Sequence, residues 1–368
     1  MIIEHISILN FKNIEQVDLN FSPKMNCFFG NNGMGKTNLL DALFYLSFCK
    51  NHTNLPDSQL ILHNKDFAVL QTTCYVDDTI EEFYCGIKRG QRKLFKRNKK
   101  EYERLSDHIG LLPLVMISPA DTDLIQGGSD ERRKFVDIVI SLYDKEYLHS
   151  LIKYNKACQQ RNSLLKESRM PDISLFDIWE EQMDFHGHLL YLKRKAFIQS
   201  FLPVFQEFYQ AICLRNEFVG LEYTSQLNNA SLLQLLKERR GQDRLSGYTT
   251  CGIHKDDFCF TLNGHLMRKI GSQGQNKTYL IALKFAQFIF LTKTGSSTPI
   301  LLLDDVFDKL DGSRVEQIVK LVSQPRFGQI FITDTNRKNL DDILSKMDHD
   351  YKLFYVENGQ FNEIKEER

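Results

Sequence analysis

The sequence predicts an α/β fold: a mixed sheet with antiparallel strands at one side, interrupted by a helical lobe. Three observations predict it. A short apolar run, Met25 to Phe29, is followed by a glycine-rich loop and then by a helical pattern that starts at Asn38. A wholly apolar run, Pro299 to Leu303, ends in two carboxylates, Asp304 and Asp305. Between these two, from Glu131 to about Phe201, apolar residues recur at helical spacing.

Composition sets the outer bounds. The chain has 368 residues, enough for a large core and more than one lobe. Hydrophobic residues make up 42% and charged residues 26%, as in soluble globular proteins. No run approaches the ~20 apolar residues of a membrane span. Met1-Ile2-Ile3-Glu4-His5 lacks the basic and apolar regions of a signal peptide, so a cytoplasmic location and no membrane partner are expected. Lys and Arg total 47 against 47 Asp and Glu, which excludes a chain basic throughout but allows local basic patches. The eight cysteines form no CxxC pair; Cys27, Cys74, Cys85 and Cys259 lie in apolar runs and read as buried free thiols.

Taken in order, Ile2 to Leu9 and Val17 to Phe21 alternate apolar and polar residues and read as antiparallel strands joined by Phe11-Lys12-Asn13. Met25 to Phe29 is a buried strand. Lys50 to Leu62 reads as loop and short helix, followed by strands at Phe67 to Val76, Ile80 to Ile87 and Arg92 to Arg97. The segment Lys88 to Arg104 holds Lys88, Arg89, Arg92, Lys93, Lys96, Arg97, Lys99, Lys100 and Arg104 against Glu101 and Glu103. It is either a solvated hairpin or a surface that tracks a nucleic-acid backbone.

Leu111 to Ser118 reads as a strand closed by Pro119. One helical stretch is expected from Glu131 to Lys166 and a second from Leu175 to about Phe201, where Pro203 interrupts it; Ser168 to Ser174 is the turn between them. The first carries Arg132, Arg133, Lys134, Lys145, Lys153, Lys156 and Arg161, a second candidate basic face or ordinary surface charge. Glu217 to Tyr223 reads as a strand and Ala230 to Arg240 as a short helix. Asp257 to Leu262 reads as a strand followed by the hairpin signal Asn263-Gly264. No heptad series is long enough for an extended coiled coil. The expected organisation is residues 1–118 and 246–368 as two parts of one lobe and 119–245 as the helical lobe.

The glycine-rich loop reads Gly30-Asn31-Asn32-Gly33-Met34-Gly35-Lys36-Thr37, followed by Asn38. Strand, loop and helix in that order make a P-loop, and the spacing of Gly30, Gly35, Lys36 and Thr37 fits Walker A. Glycines let successive N–H groups turn inward on phosphate oxygens, and the positive end of the next helix adds to the attraction. Lys36 is expected on the β- and γ-phosphates and Thr37 on Mg²⁺. Asp304, ending the apolar strand, is assigned to Mg²⁺ and Asp305 to the attacking water, as in a Walker B strand.

Gly271-Ser272-Gln273-Gly274-Gln275 precedes a long helical pattern from Asn276 to Leu291. A Ser-x-Gly-Gln element before a helix, ahead of a Walker B strand, resembles the signature motif of ABC-type ATPases. That resemblance implies an ABC-type P-loop ATPase head in which Ser272, Gly274 and Gln275 of one subunit meet the γ-phosphate held by the other. ATP would thus join a homodimer. Leu310-Asp311 fits the D-loop. Within the superfamily the chain resembles the RecF family, related to the heads of SMC proteins. The likeness is carried by Asn10-Phe11-Lys12-Asn13, Gly35 to Ala42, Ser118-Pro119-Ala120-Asp121, Arg132 to Asp137, Gly252-Ile253-His254-Lys255-Asp256-Asp257, Ser272 to Gln275 and Leu303 to Val306.

The resemblance implies an ATP-dependent DNA-binding protein of recombinational repair and replication restart. ATP would close a dimer on duplex DNA beside a single-strand gap, at the junction of single and double strands, and slow, DNA-stimulated hydrolysis would release it. It implies RecR and RecO as partners in loading RecA. The family commonly has Arg where this chain has Lys12, Lys50 and Lys255, and Lys offers a point charge in place of a planar fork. Asp305 is shorter than the Glu common in ABC ATPases, and Thr333-Asp334-Thr335 carries no switch His, which suits slow hydrolysis. Ser118, Asp121 and Gln126 each fit the Q-loop role. The competing readings are a transporter ATPase subunit, an SMC-like structural clamp and a small-molecule P-loop kinase.

Overall fold

The structure is a computed structural model that describes residues 1–53, 55–76, 79–167, 172–213, 216–295, 297–307, 310–345 and 350–364. The turn expected at Ser168 to Ser174 lies partly outside them. The chain opens with β1 (Ile2–Phe11), β2 (Ile14–Asn20), β3 (Met25–Phe29) and helix α1 (Lys36–Phe48). Then come β4 (Phe67–Val76), β5 (Thr79–Lys88), β6 (Leu94–Arg97), β7 (Lys100–Glu101) and β8 (Leu114–Ile117). Helices α2 (Asp123–Gln126), α3 (Ser129–Tyr143), α4 (Lys145–Leu165) and α5 (Ile173–Cys213) follow. Next are β9 (Val219–Thr224), α6 (Leu232–Glu238), α7 (Arg240–Ser246), β10 (Asp257–Leu262), β11 (His265–Leu266), α8 (Met267–Ile270) and α9 (Gln273–Thr294). The chain ends with β12 (Ile300–Asp304), α10 (Gly312–Val322), β13 (Ile330–Asp334), α11 (Arg337–Leu344), β14 (Tyr351–Glu357) and β15 (Gln360–Ile364).

Two compact units result. The first is Met1–Asp121 with Gln287–Arg368, the second Thr122–Ala286. In the first unit, one sheet is antiparallel with order β2-β1-β4-β5-β6-β7, and the other has order β15-β14-β3-β13-β12-β8. In the latter all pairings are parallel except β14 with β15. Strands β8, β12 and β13 are buried at every residue, as continuous apolar runs in a parallel sheet should be. Helix α1 is buried nearly all round, including Leu39, Leu40, Leu43, Phe44 and Leu46, because it touches strands of both sheets. The buried amide of Gln329 ties the sheets together: it accepts from the Ile3 N–H at 2.7 Å and donates to the carbonyls of Ile3 at 2.7 Å and Ser22 at 2.8 Å.

The second unit holds α2 to α8, the start of α9 and the sheet β11-β10-β9. The return to the first lobe is expected from the sequence at residue 246, whereas the second unit runs on to Ala286. The reason is strand pairing: β10 is antiparallel to β9 from Asp257–Thr224 to Leu262–Val219, and nothing in the sequence of β10 names its partner. Asn263 and Gly264 both have positive φ, 49° and 78°, and make the expected hairpin turn. The single helical stretch expected from Glu131 is two helices, because Asp144 takes an extended conformation and its carboxylate accepts from the Tyr147 N–H, capping α4. Pro203 does not end the next helix; α5 runs through it to Cys213. Proline removes one backbone donor. Phe201, Phe205, Phe208 and Tyr209 are buried on both sides of it, and their packing, with Phe205 against Tyr279 and Phe208 against Phe285, outweighs that loss.

Two buried arginines organise this unit. Arg161 donates to Glu180 at 3.0 Å, Asp243 at 2.6 Å, Thr249 at 2.9 Å and the Leu236 carbonyl at 3.1 Å. Arg194 donates to Asp137 and Tyr147 and to the Ile253 carbonyl, with Asp256 at 3.4 Å. Arg161 on α4 therefore does not belong to the basic face expected along Glu131 to Lys166, nor does Arg132 on α3, whose guanidinium is buried against Asp257 at 2.8 Å. The spacing of charges on a helix does not tell a solvated guanidinium from one that cross-links a core. The eight cysteines are free thiols, all buried except the half-buried Cys259.

Candidate nucleotide site

The site is assembled at the carboxyl ends of β3, β12 and β13, where ligands lie in open α/β sheets. The loop Gly30 to Gly35 links β3 to α1, with φ of 155° at Gly30, 80° at Gly33 and 116° at Gly35. At Gly30 a Cβ would sit 2.2 Å from the Val356 carbonyl oxygen, so close approach of β14 as well as positive φ demands glycine. Asn31, Asn32 and Gly33 are exposed, Met34 and Asn38 half-buried, and Lys36 buried. The Lys36 ammonium curls over the loop and donates to the carbonyls of Gly30 at 2.7 Å and Asn31 at 3.0 Å.

Two elements brace this loop from outside. The Asn13 amide donates to the Gly33 carbonyl at 3.2 Å, and its oxygen accepts from Asn38 at 2.6 Å. Lys12, at φ 51°, forms an ion pair with Asp41 of α1. At the other end of the chain, Asn358 and Gly359 form the tight turn between β14 and β15, and the Gly359 N–H donates to the Met34 carbonyl at 2.8 Å. The dipeptide Asn358-Gly359 is a hairpin signal legible in the sequence; its grip on Met34 has no local signal.

Thr37 and Asp304 meet directly: the Thr37 hydroxyl lies 2.9 and 3.1 Å from the two Asp304 oxygens. The Thr333 hydroxyl donates to Asp304 at 2.8 Å and accepts from the Asp305 N–H at 3.1 Å. Thr333 is thus a member of the site that sequence reading met only as the absence of a switch His. Burial pushes the Asp304 carboxyl up to about 6, with the charges of Asp305 and Asp41 adding to it and the two hydroxyls opposing. No cationic side chain pairs with Asp304 among the described residues. A buried carboxylate beside a threonine hydroxyl offers hard oxygen donors, which fits a divalent cation. Asp305 holds a left-handed φ of 45° just past the strand end, an uncommon conformation that aspartate tolerates better than most residues.

Ser272, Gly274 and Gln275 belong to the second unit and open α9. The Ser272 N–H donates to the Gln275 side-chain oxygen at 2.9 Å, and the Gln275 N–H donates back to the Ser272 hydroxyl at 3.2 Å. This reciprocal pair is a capping box at the head of a 22-residue helix. Ser272 is exposed there, and Gln275 is fixed in turn by donating to Glu217 at 2.9 Å. Of the Q-loop candidates, Ser118 and Asp121 lie in the first unit and Gln126 in the second. Ser118 follows β8, and its N–H donates to Asp121 at 2.8 Å; its buried hydroxyl has no partner among the described residues.

The description RecF/RecN/SMC N terminal domain matches residues 2–362. The DNA replication and repair protein RecF of Azobacteroides pseudotrichonymphae is 64% identical over 366 residues, covering 99% of this chain and 100% of its own length. The chain belongs to the RecF family. RecF of Bacteroides fragilis is 61% identical over 367 residues, covering 100% of this chain and 99% of its own. Among solved structures, the recombination mediator protein RecF with ATP, of the RecFOR pathway, superposes with a TM-score of 0.89 at 27% identity over 99% of this chain and 98% of that one. The Smc head domain of Pyrococcus furiosus superposes at 0.58 with 16% identity over 99% and 96%, which speaks for the fold alone. A role in DNA replication and repair, and ATP as the nucleotide, go with membership of the RecF family, and the fold is that of an ABC-type ATPase head. No helix among the described residues is long and apolar enough to cross a membrane.

The basic segments divide. Lys88, Arg92, Lys99, Lys100 and Arg104 are exposed, while Lys93 is held by Asp57 and the Cys49 carbonyl and Arg97 by Glu81. On α4, Lys145, Lys153 and Lys156 are exposed.

Proposed function

We propose that this RecF-family chain is a slow ATPase whose ATP-bound form dimerises and closes on DNA at single-strand gaps, working with RecR and RecO. In each copy the loop Gly30 to Asn38 cradles the phosphates, Lys36 exchanges its loop carbonyls for phosphate oxygens, and Thr37 and Asp304 hold Mg²⁺. Magnesium, when bound, supplies charge neutralisation on the phosphates. Asp305 orients the attacking water, and the Thr333 hydroxyl fixes the peptide that carries it. The observation that supports dimer closure is Ser272, exposed at the N-terminus of a long helix and already fixed by its capping partner. A hydroxyl and helix dipole placed there attract an anion. ATP favours the closed pair because its γ-phosphate meets Ser272 of the second copy in that state alone.

Slow turnover is supported by the short Asp305 carboxylate and by the segment Thr333-Asp334-Thr335, which carries no switch His. DNA contact is assigned to the exposed lysines and arginines of the Lys88 to Arg104 segment and of α4, which would release counterions from the phosphate backbone. The test is sedimentation with and without a non-hydrolysable ATP analogue. The chain should dimerise only with the analogue, and Ser272→Arg should remain monomeric while still binding ATP. An unchanged dimer in that variant would overturn the reading.

A further inference from the structure

The Ser272 hydroxyl accepts from the Gln275 N–H at 3.2 Å, so its own proton is left to be donated outward. What aims that hydroxyl is the Gln275 side chain, whose oxygen accepts from the Ser272 N–H at 2.9 Å. A primary amide can sit either way round. Turned over, Gln275 would set its NH2 against the Ser272 N–H, donor against donor, and the capping box would open. Glu217 makes the choice. One of its carboxylate oxygens accepts from the Gln275 amide nitrogen at 2.9 Å. A carboxylate can only accept, so the NH2 must face Glu217 and the amide oxygen must face Ser272.

Glu217 is itself held in place. Its other oxygen accepts from the Tyr209 hydroxyl at 2.6 Å and from the Cys213 thiol at 3.2 Å, both in the last turns of α5. Burial pushes the Tyr209 phenol far above its usual range, with the hydrogen bond to Glu217 adding to the shift, so it stays a donor. The peptide that follows is pinned as well. The Phe218 N–H donates to the Asn263 side-chain oxygen at 2.8 Å, and the Phe218 carbonyl accepts from the Asn263 N–H at 2.7 Å. Buried Tyr279 of α9 donates to the Gly220 carbonyl at 2.8 Å, which fixes β9 against the helix that carries Gln275. We propose that Glu217 is a positioning residue for the ATP-closed dimer: it orients Gln275 so that Ser272 presents its hydroxyl proton to the γ-phosphate held by the second copy. This role rests on the function of Ser272 proposed above.

The test is sedimentation of the full chain with a non-hydrolysable ATP analogue and magnesium, beside thermal midpoints and binding of a fluorescent ATP analogue to the dilute monomer. The variants are Glu217→Ala, Gln275→Glu, the double exchange Glu217→Gln with Gln275→Glu, and Ser272→Arg. Two Ser272 contacts close each dimer, so a cap weakened by roughly threefold in each copy lowers the dimerisation constant by roughly tenfold. Glu217→Ala should show that loss while its monomer binds the nucleotide as the wild type does. Gln275→Glu sets two carboxylates together and should lose more. The double exchange should recover the dimer, because one amide again faces one carboxylate and Glu is as good a capping-box partner as Gln. If Glu217 only supports the fold, Glu217→Ala lowers the thermal midpoint and the folded protein dimerises as before. That result, or a double exchange no better than Gln275→Glu, overturns the assignment. A wild type that ignores the analogue, or a Ser272→Arg variant that still dimerises, removes the proposed function of Ser272 and this role of Glu217 with it.

Discussion

The Thr37 hydroxyl stands 2.9 Å from one oxygen of Asp304 and 3.1 Å from the other, joining the first turn of α1 to the end of β12. These residues are 267 positions apart, and the parallel pairing of β13 between β3 and β12 brings them together. Asp304→Asn keeps the shape and one acceptor but removes the charge a divalent cation needs. Hydrolysis of ATP should fall on the order of 100-fold or more, with a right-shifted magnesium titration, and chelation of magnesium should stop the wild type. Hydrolysis that persists in Asp304→Asn at wild-type magnesium dependence would remove Asp304 from the cation site.

Gly30 is where the loop and the C-terminal hairpin come closest. Gly30→Ala forces a methyl to 2.2 Å from the Val356 carbonyl at a left-handed φ, so strand β14 or the loop must move. The expected cost is about 2 kcal/mol or more, read as a lower thermal midpoint together with loss of ATP binding. Gly33→Ala meets no atom within 4 Å and carries only the φ penalty at 80°, about 1 kcal/mol. Equal effects of the two substitutions would mean that β14 does not press on Gly30.

Much of this site is legible along the chain because its chemistry is local. A P-loop needs glycines at fixed spacing between a strand and a helix, and a Walker B strand needs an apolar run with a terminal carboxylate. What the chain conceals is pairing over distance. Thr333 becomes a site residue only because β13 lies beside β12, and Asn358-Gly359 only because β14 lies beside β3. Arg161 reads as surface charge until Glu180 and Asp243 are seen around it. Pro203 reads as a helix end because propensity knows nothing of the aromatic rings packed on either side.

The Arg161 cluster makes its own prediction. Arg161→Met leaves the carboxylates of Glu180 and Asp243 buried with one fewer cation, although Arg240 still reaches Glu180 at 2.5 Å. Removing one partner of a buried pair costs about 3 to 5 kcal/mol. Chemical denaturation should show a loss of that order in the transition that reports on the second unit. A change within a few tenths would mean that the arginine's desolvation cancels its bonds.

His254 gives the second unit an acid limit. Its Nδ1 lies 2.8 Å from the Tyr154 hydroxyl and its Nε2 lies 3.2 Å from the Thr249 carbonyl, so the neutral ring with the proton on Nε2 satisfies both. Burial pushes its pKa from 6.5 down to about 4, with Lys255 and Arg133 pushing the same way and the Thr249 carbonyl opposing. Between those pH values the unfolded chain binds the proton and the folded chain does not. Stability is therefore full above pH 6.5 and falls as pH drops toward 4, by about 3 kcal/mol from this group. His254→Gln should flatten that part of the pH profile; an identical slope in wild type and variant would exclude His254 as its source.

Closure of the chain on DNA by ATP is read from fluorescence anisotropy of a labelled gapped duplex, titrated with the protein in magnesium, without nucleotide and with a non-hydrolysable ATP analogue. Binding should be tighter by roughly tenfold or more with the analogue, weakening steeply as salt rises. DNA binding that ignores the analogue, or no DNA binding while ATP is still hydrolysed, would contradict it.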